Sequence, residues 1–322
     1  MRCLASFALA ALLATPAGPV AAQSYPARTV TVVVPFPAGG SVDGVARILV
    51  QKLNETGAGH FIIENRAGGA SGIVGANAVA KSPPDGYTLL ISASIHVINP
   101  LLYKSVPYDV VNDFTPVSLI ATGPLIVSTT PSVPAGNLKD FFELVRKDPQ
   151  KYTFGTSGVG SASHLAIELL KRDAGLDTLV IAYKGTAPAL TDLMSGQIQL
   201  FADPMLSSLP LAQSGKIKAL GLTSRTRAAA APEIPTVEES GVKGFEFVSW
   251  YGLWGPKQLP ATISEKLQTE AAKVIAMPEF RQRLSTLGFD PVGRNGDAFA
   301  SFIRDEMAKY QAIIRDAKIK AD

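Results

Sequence analysis

Two segments of small residues hold most of the groups in this chain that can bind a charged small molecule. The first, Pro35-Phe36-Pro37-Ala38-Gly39-Gly40-Ser41-Val42-Asp43, follows the β-branched run from Val30 to Val34. The second, Gly155-Thr156-Ser157-Gly158-Val159-Gly160-Ser161-Ala162-Ser163-His164, begins where a strand from Tyr152 to Gly155 ends. Each reads as strand, glycine turn and helix start. Glycine lets a backbone approach a ligand closely, and the first amides of a helix have no partner inside the helix. That combination favours an anion, and by itself it accepts a carboxylate as readily as a phosphate. Either segment alone is equally an ordinary strand-to-helix turn, but two in similar settings point to binding.

Catalytic and metal chemistry fit less well. A nucleophile elbow needs G-x-S-x-G, whereas Gly155-Thr156-Ser157-Gly158-Val159 ends in a valine that would crowd the turn. His164 lies on the helix after that turn, not on the late loop that triad order requires. A secreted serine hydrolase using Ser157 is therefore the weaker alternative. His60, His96 and His164 lack ligand spacing, so neither a metal nor a cofactor is expected. His96 and His164 are read as structural hydrogen-bonding residues. Arg66, before Gly68-Gly69, is expected to lock a surface turn rather than hold an anion. Trp250, Tyr251 and Trp254 are expected in a hinge or core rather than stacked on a solute.

The elements that must position these loops alternate. After Val30 to Val34, a helix is expected with Ser41 or Asp43 as its cap and Val45, Ile48, Leu49 and Leu53 along one face. A strand at 60–64, a helix at 73–80 and a strand at 87–92 complete a pattern that predicts a parallel sheet. Two close strands, Pro116 to Ile120 and Leu125 to Val127, suggest a passage from one lobe to another. Beyond it, helices at 138–146, 164–172 and 187–194 alternate with strands at 152–155, 178–183, 198–202 and 217–222, with a short helix before the last. In the second loop Ser161 or Ser163 would cap the helix. The Pro- and Gly-rich stretch 232–244 suits a return crossing. The last segment reads as helical, with Phe299, Phe302, Ile303, Tyr310, Ile313 and Ile314 forming a core-facing stripe.

Bulk properties agree with an exported protein. Arg2, the short apolar run Leu4 to Leu13 and Val20-Ala21-Ala22 form a secretory signal with cleavage expected near Ala22. The only cysteine, Cys3, lies inside that signal, so no disulfide is expected. No later stretch reaches the roughly 18 apolar residues of a membrane helix. The formal net charge of the whole chain is only +3 and its basic residues are scattered, which argues against nucleic acid as a partner.

Five motifs stand in order along the chain: Val34-Pro35-Phe36-Pro37-Ala38-Gly39-Gly40-Ser41-Val42-Asp43, Glu64-Asn65-Arg66-Ala67-Gly68-Gly69-Ala70, Pro84-Asp85-Gly86-Tyr87-Thr88-Leu89-Leu90, Tyr183-Lys184-Gly185-Thr186 and Ile234-Pro235-Thr236-Val237-Glu238-Glu239-Ser240-Gly241. On these motifs the chain resembles the substrate-binding proteins of tripartite tricarboxylate transporters, the Bug receptors. Gln199 stands where an acid is common, Pro204 where a small polar residue is common, and Ala67 where proline is frequent. Solute identity therefore does not transfer from one member to this one.

The resemblance implies an α/β, two-lobed periplasmic binding protein of the type II class, with parallel-rich sheets flanked by helices and a hinge of two crossings. Residues 1–22 would be signal, 23–123 with 243–322 the first lobe, and 124–242 the second. A small carboxylated solute would be captured between the lobes and delivered to a membrane permease, or presented to a sensor protein, by a monomeric receptor. Phe36, Pro37, Ala38, Gly39 and Gly40 would line the first cradle, with Asp43 starting the helix and ordering the loop. Ala93 and Ser94 would form a second wall. Ser157, Gly158 and Ser161 would hold a carboxylate from the other lobe, and Tyr183, Lys184, Gly185, Thr186 and Asp203 would complete the pocket. Asp203 would pair with a ligand ammonium, accept from a hydroxyl, or merely cap the helix before Pro204. Closure would be favoured when a solute carboxylate bridges both loops.

Overall fold

A computed structural model of the protein describes residues 25–68 and 70–320. The expected signal segment, with Arg2 and Cys3, lies outside the described residues, as does Gly69. Among the described residues the first elements are β1 (Val30–Val34), α1 (Ser41–Glu55), β2 (Phe61–Asn65), α2 (Ile73–Ala80), β3 (Thr88–Ala93) and α3 (Ile95–Leu102). β4 (Phe114–Thr129) leads to α4 (Leu138–Lys147), β5 (Thr153–Thr156), α5 (Ala162–Ala174), β6 (Leu179–Ala182) and α6 (Thr186–Ser195). Then follow β7 (Leu200–Pro204), α7 (Met205–Gln213) and β8 (Lys218–Leu222). β9 (Val248–Pro256), α8 (Ala261–Ala276), α9 (Pro278–Thr286), β10 (Asp290–Asn295) and α10 (Gly296–Asp316) close the sequence.

Two sheets share one strand. In the first, β1 lies between β2 and β3 with all three parallel, and β9 then pairs antiparallel with both β3 and β4. In the second, β7 and β8 flank the later half of β4 in antiparallel pairing, and β5 and β6 continue in parallel from β7. The chain is thus a two-lobed, mixed α/β protein whose lobes are joined through β4. The two strands expected at 116–120 and 125–127 are one continuous 16-residue strand. Proline's fixed φ is compatible with extended backbone, so Pro116 and Pro124 do not break it. The irregularity appears instead as register shifts against β9, between Pro116 and Ser118 and between Leu119 and Ala121.

The return crossing is tied to β4 by backbone and hydroxyl bonds. Leu125 N–H donates to Thr223 Oγ1 at 2.7 Å, Thr223 N–H to the Leu125 carbonyl at 3.0 Å, and Phe247 N–H to the Thr223 carbonyl at 2.8 Å. Thr223 therefore joins both crossings at a single point.

The alternation read from sequence is present, but α3, β9 and β10 were not foreseen. β9 carries Ser249 to Pro256 in an unbroken buried run, so it lacks the two-residue alternation that marks a half-exposed strand. β10 makes the last segment less purely helical than expected. The aromatic residues of β9 are in the core, as read: Trp250 packs edge-on against Phe299 and Phe302 and donates its Nε1–H to Tyr310 Oη at 2.9 Å. On α10, Phe299, Ile303, Tyr310 and Ile313 are buried while Phe302 and Ile314 pack at the margin.

Candidate functional site

The first loop is held by a carboxylate. α1 is preceded by Gly40, which makes no side-chain cap, so neither Ser41 nor Asp43 caps the helix in the expected way. Asp43 reaches back instead: its Oδ2 accepts from Gly39 N–H at 2.9 Å and from Arg47 Nε at 2.8 Å. Its Oδ1 accepts from Asn65 Nδ2 at 2.9 Å, and the same amide donates to the Phe36 carbonyl at 3.1 Å. Burial alone would raise the Asp43 pKa, but the hydrogen bonds from Arg47, Gly39 and Asn65 outweigh it and hold the carboxyl below its usual range. Asp43 thus orders the loop and offers no free oxygen. Pro37, Ala38, Gly39 and Gly40 stay exposed, with Phe36 half-buried. Gly39 needs its left-handed φ of 88° for the turn.

Hydroxyls hold the second loop. Ser161 Oγ accepts from His164 N–H at 3.1 Å as the α5 cap and donates to the Gly158 carbonyl at 2.7 Å. Thr156 Oγ1 accepts from Gly158 N–H at 3.1 Å. His164 Nδ1 accepts from Gly160 N–H at 3.1 Å, so this ring nitrogen serves the loop rather than Ser157. Burial, assisted by Lys171, pushes the His164 pKa down to about 4 and keeps the ring neutral. Ser157 and Gly158 remain half-buried, and the Ser157 carbonyl accepts from Gly185 N–H at 2.9 Å. That bond ties the second loop to the start of α6.

At α6 the N-cap is Gly185, which makes no side-chain cap and has a φ of 115°. Lys184 is exposed. Tyr183 donates its hydroxyl to Asp192 Oδ2 at 2.6 Å, and burial together with that carboxylate pushes the phenol up to about 12. Thr186 Oγ1 donates to Asp203 Oδ1 at 2.8 Å, and Ser208 Oγ donates to Asp203 Oδ2 at 3.2 Å. Asp203 is fully buried and does not cap α7, whose N-cap is Pro204.

Among the described residues, contacts between the lobes lie both below and beside these loops. In the floor, the buried Tyr251 hydroxyl of β9 lies by Ser41 at the start of α1 and feels the Asp203 charge, yet forms no well-made hydrogen bond. Ser41, Tyr251, Asp203 and Thr186 thus form a chain of neighbours from the start of α1 to the start of α6. At the rim, Ser71 Oγ donates to the Val159 carbonyl at 3.4 Å, and a Cβ on Gly160 would overlap the Leu102 side chain of α3. Arg172 and Asp316 add a 3.5 Å ion pair between α5 and α10.

Two expectations change. Ala93 pairs with Tyr251 across the sheet, but Ser94 is fully buried with its hydroxyl beside Tyr310, because the chain has already turned into α3 and faces α10. Ser94 is a core residue, not a free wall donor. His96 makes no hydrogen bond: its ring lies among Tyr108, Phe114 and Trp254, and burial pushes its pKa down to about 3. Arg66 bonds Glu64 at the surface, as read. Sequence reasoning missed Arg47, Ser208 and the position of Tyr251. Of these, only Arg47 left a local signal, four residues after Asp43. A separate groove of about 420 Å³ between α7 and the end of α9 is lined by Met205, Leu209, Gln282 and Leu287, and by none of these loops.

Comparison with known proteins converges on one family. The model of the tripartite tricarboxylate transporter family receptor matches residues 45–319. The periplasmic binding protein BugD is 35% identical with a TM-score of 0.84, covering 92% of this chain and 100% of its own. The R. palustris protein Rpa4515, solved with adipate, is 36% identical with a TM-score of 0.87, covering 92% of this chain and 99% of its own. MatC of Rhodopseudomonas palustris, solved with malate, is 31% identical with a TM-score of 0.81, covering 90% of this chain and 100% of its own.

Proposed function

The chain belongs to the tripartite tricarboxylate transporter receptor family, and from that premise we propose that it captures a small dicarboxylate, tricarboxylate or acidic amino acid between its lobes for a membrane permease. It is a periplasmic solute receptor. The lobes in this proposal are residues 23–123 with 243–322, and 124–242. The observation that carries the ligand class is that Ser41, Tyr251, Asp203 and Thr186 link two helix N-termini that lack side-chain caps, α1 after Gly40 and α6 after Gly185, with no arginine or lysine hydrogen-bonded to these four among the described residues. A carboxylate suits such a site because backbone amides and hydroxyls solvate it without a fixed countercharge. Adipate and malate in two relatives support the same class.

In the proposed mechanism, the exposed backbone of Pro37 to Gly40 meets one carboxylate. Ser157, Gly158 and the turn Lys184-Gly185-Thr186 meet the other end of the solute from the second lobe. Asp43, Ser161 and Tyr183 position those loops from behind. Waters fill the remaining space and allow solutes of different length.

The double variant Ser157→Ala with Gly40→Val tests the site. Gly40 has an ordinary φ of −79° and open space around a Cβ, so valine obstructs the cradle without straining the backbone. Calorimetry should show adipate, malate or citrate stabilising the wild type and leaving the double variant's melting unchanged. An undiminished shift in the variant would remove these loops from the binding site.

A further inference from the structure

Asp203 and Thr186 join a fully buried carboxyl to a half-buried hydroxyl at the start of α6. Asp203 ends β7 fully buried. Its carboxyl touches hydroxyls only: Thr186 from α6, Ser208 from α7, and Ser207 nearby on the same helix. Its β4 neighbour is Ile126, and from β9 it faces the Tyr251 phenol. No lysine or arginine is hydrogen-bonded to it among the described residues; Asp43, by contrast, is locked by Arg47. Thr186 is half-buried at the first turn of α6, which belongs to the proposed site.

A threonine hydroxyl has one proton to donate and two lone pairs to accept with. When Asp203 is ionised, Thr186 must direct that proton to it, leaving only lone pairs for a solute. When Asp203 is protonated, it can donate to Thr186 Oγ1, which frees the Thr186 proton. We propose that Asp203 and Thr186 are a proton-controlled selectivity element of this receptor: protonated Asp203 makes Thr186 a donor to a solute carboxylate, and ionised Asp203 makes it an acceptor for a solute ammonium. The proton comes from solvent as the carboxylate solute enters, and returns to solvent on release. This inference rests on the receptor function proposed above.

The physical setting supports it. Burial pushes the Asp203 pKa up to about 7, and the hydroxyls of Thr186, Ser208 and Ser207 only partly oppose the rise. A solute carboxylate beyond Thr186 raises it further, since like charges disfavour ionisation.

The experiment compares wild type, Asp203→Asn and Thr186→Val by calorimetry against adipate and against aspartate from pH 5.5 to 8.5. Asparagine keeps the size and supplies a fixed donor to Thr186, so it imitates the protonated state. Adipate affinity of the wild type should fall about tenfold per pH unit above neutrality, as one linked proton requires. It should be flat in Asp203→Asn, and weak and flat in Thr186→Val. Aspartate should lose affinity in Asp203→Asn while adipate does not. Equal pH slopes in wild type and Asp203→Asn would overturn the proposal.

A ligand-free measurement separates this failure from failure of the receptor function. Asp203 holds its proton in the folded state up to about pH 7 but in the unfolded state only to its ordinary value. The unfolded chain therefore binds fewer protons between those limits, and wild-type stability must fall with rising pH relative to Asp203→Asn. Melting temperatures of the two that stay parallel from pH 4 to 8 would show that Asp203 carries no such proton, whatever the protein binds. If no carboxylate binds wild type at any pH while the melting curves diverge, the receptor function fails and the titration stands.

Discussion

The two glycine loops, before α1 and before α5, are built on the same plan and held by opposite means. The α1 loop is fixed by ionic chemistry, with Asp43 gathering Gly39, Arg47 and Asn65 around a carboxylate whose pKa is pushed down. The α5 and α6 loops are fixed by neutral hydroxyls, and their one buried carboxylate, Asp203, has no cation and a pKa pushed up. A paired buried carboxylate stays charged across the ordinary pH range, whereas an unpaired one titrates within it. In the proposed receptor the first loop therefore presents a constant surface to a solute, and any response to pH belongs to the second side.

Breaking the ionic side should have the largest effect. Asp43→Ala leaves the Gly39 amide, the Asn65 side chain and the Arg47 guanidinium without their shared acceptor. Because Arg47 is half exposed and rehydrates, the loss should be about 2–3 kcal/mol rather than the larger value for a fully buried pair. Urea unfolding measures it, and carboxylate binding should disappear with it. A loss under half a kcal/mol would mean that the loop is ordered without Asp43.

Next comes the rim, where the two sides touch. Gly160 lies in the second loop at a φ of +74°, with its open face against Leu102 of the first lobe. Gly160→Ala should lower solute affinity about tenfold, partly through backbone strain of about 1 kcal/mol and partly through obstruction of Leu102. Adding Leu102→Ala removes the obstruction but not the strain. Recovery of affinity in the double variant, read by calorimetry beside small-angle scattering of lobe closure, would confirm that this contact belongs to the closed form. No recovery would assign the whole effect to the loop's own backbone.

On both sides the sequence disclosed local elements better than distant partners, for a physical reason. Strand, glycine turn and amphipathic helix are local signals, so β1, α1, β5, α5 and the Ser161 cap could be read directly. Asp43 and Arg47 are one helical turn apart, which is also local. The environment of Asp203 is not: Thr186 comes 17 residues earlier, and Tyr251 arrives only after the chain has recrossed the hinge. Ser94 was misplaced for the same reason, since its neighbour Tyr310 lies on α10 at the far end of the sequence. The β9 strand escaped notice because burial on both faces erases the alternation by which strands are recognised. Local chemistry was legible, and the partners supplied by topology were not.

The smallest expected effect tests whether hydroxyls alone hold the second loop. Ser161→Ala removes the acceptor for His164 N–H and the donor to the Gly158 carbonyl. Loss of a helix cap costs about 1 kcal/mol, less than the loss at Asp43, because each group left behind is neutral and α5 keeps its packed face. The Gly160 bond to His164 Nδ1 remains to hold the turn. Solute binding should weaken only a few fold, with its pH dependence unaltered, because Asp203 and Thr186 are untouched. A Ser161→Ala variant as damaged as Asp43→Ala in urea unfolding would erase the contrast, since the neutral loop would then depend on its single cap as heavily as the ionic loop depends on its carboxylate.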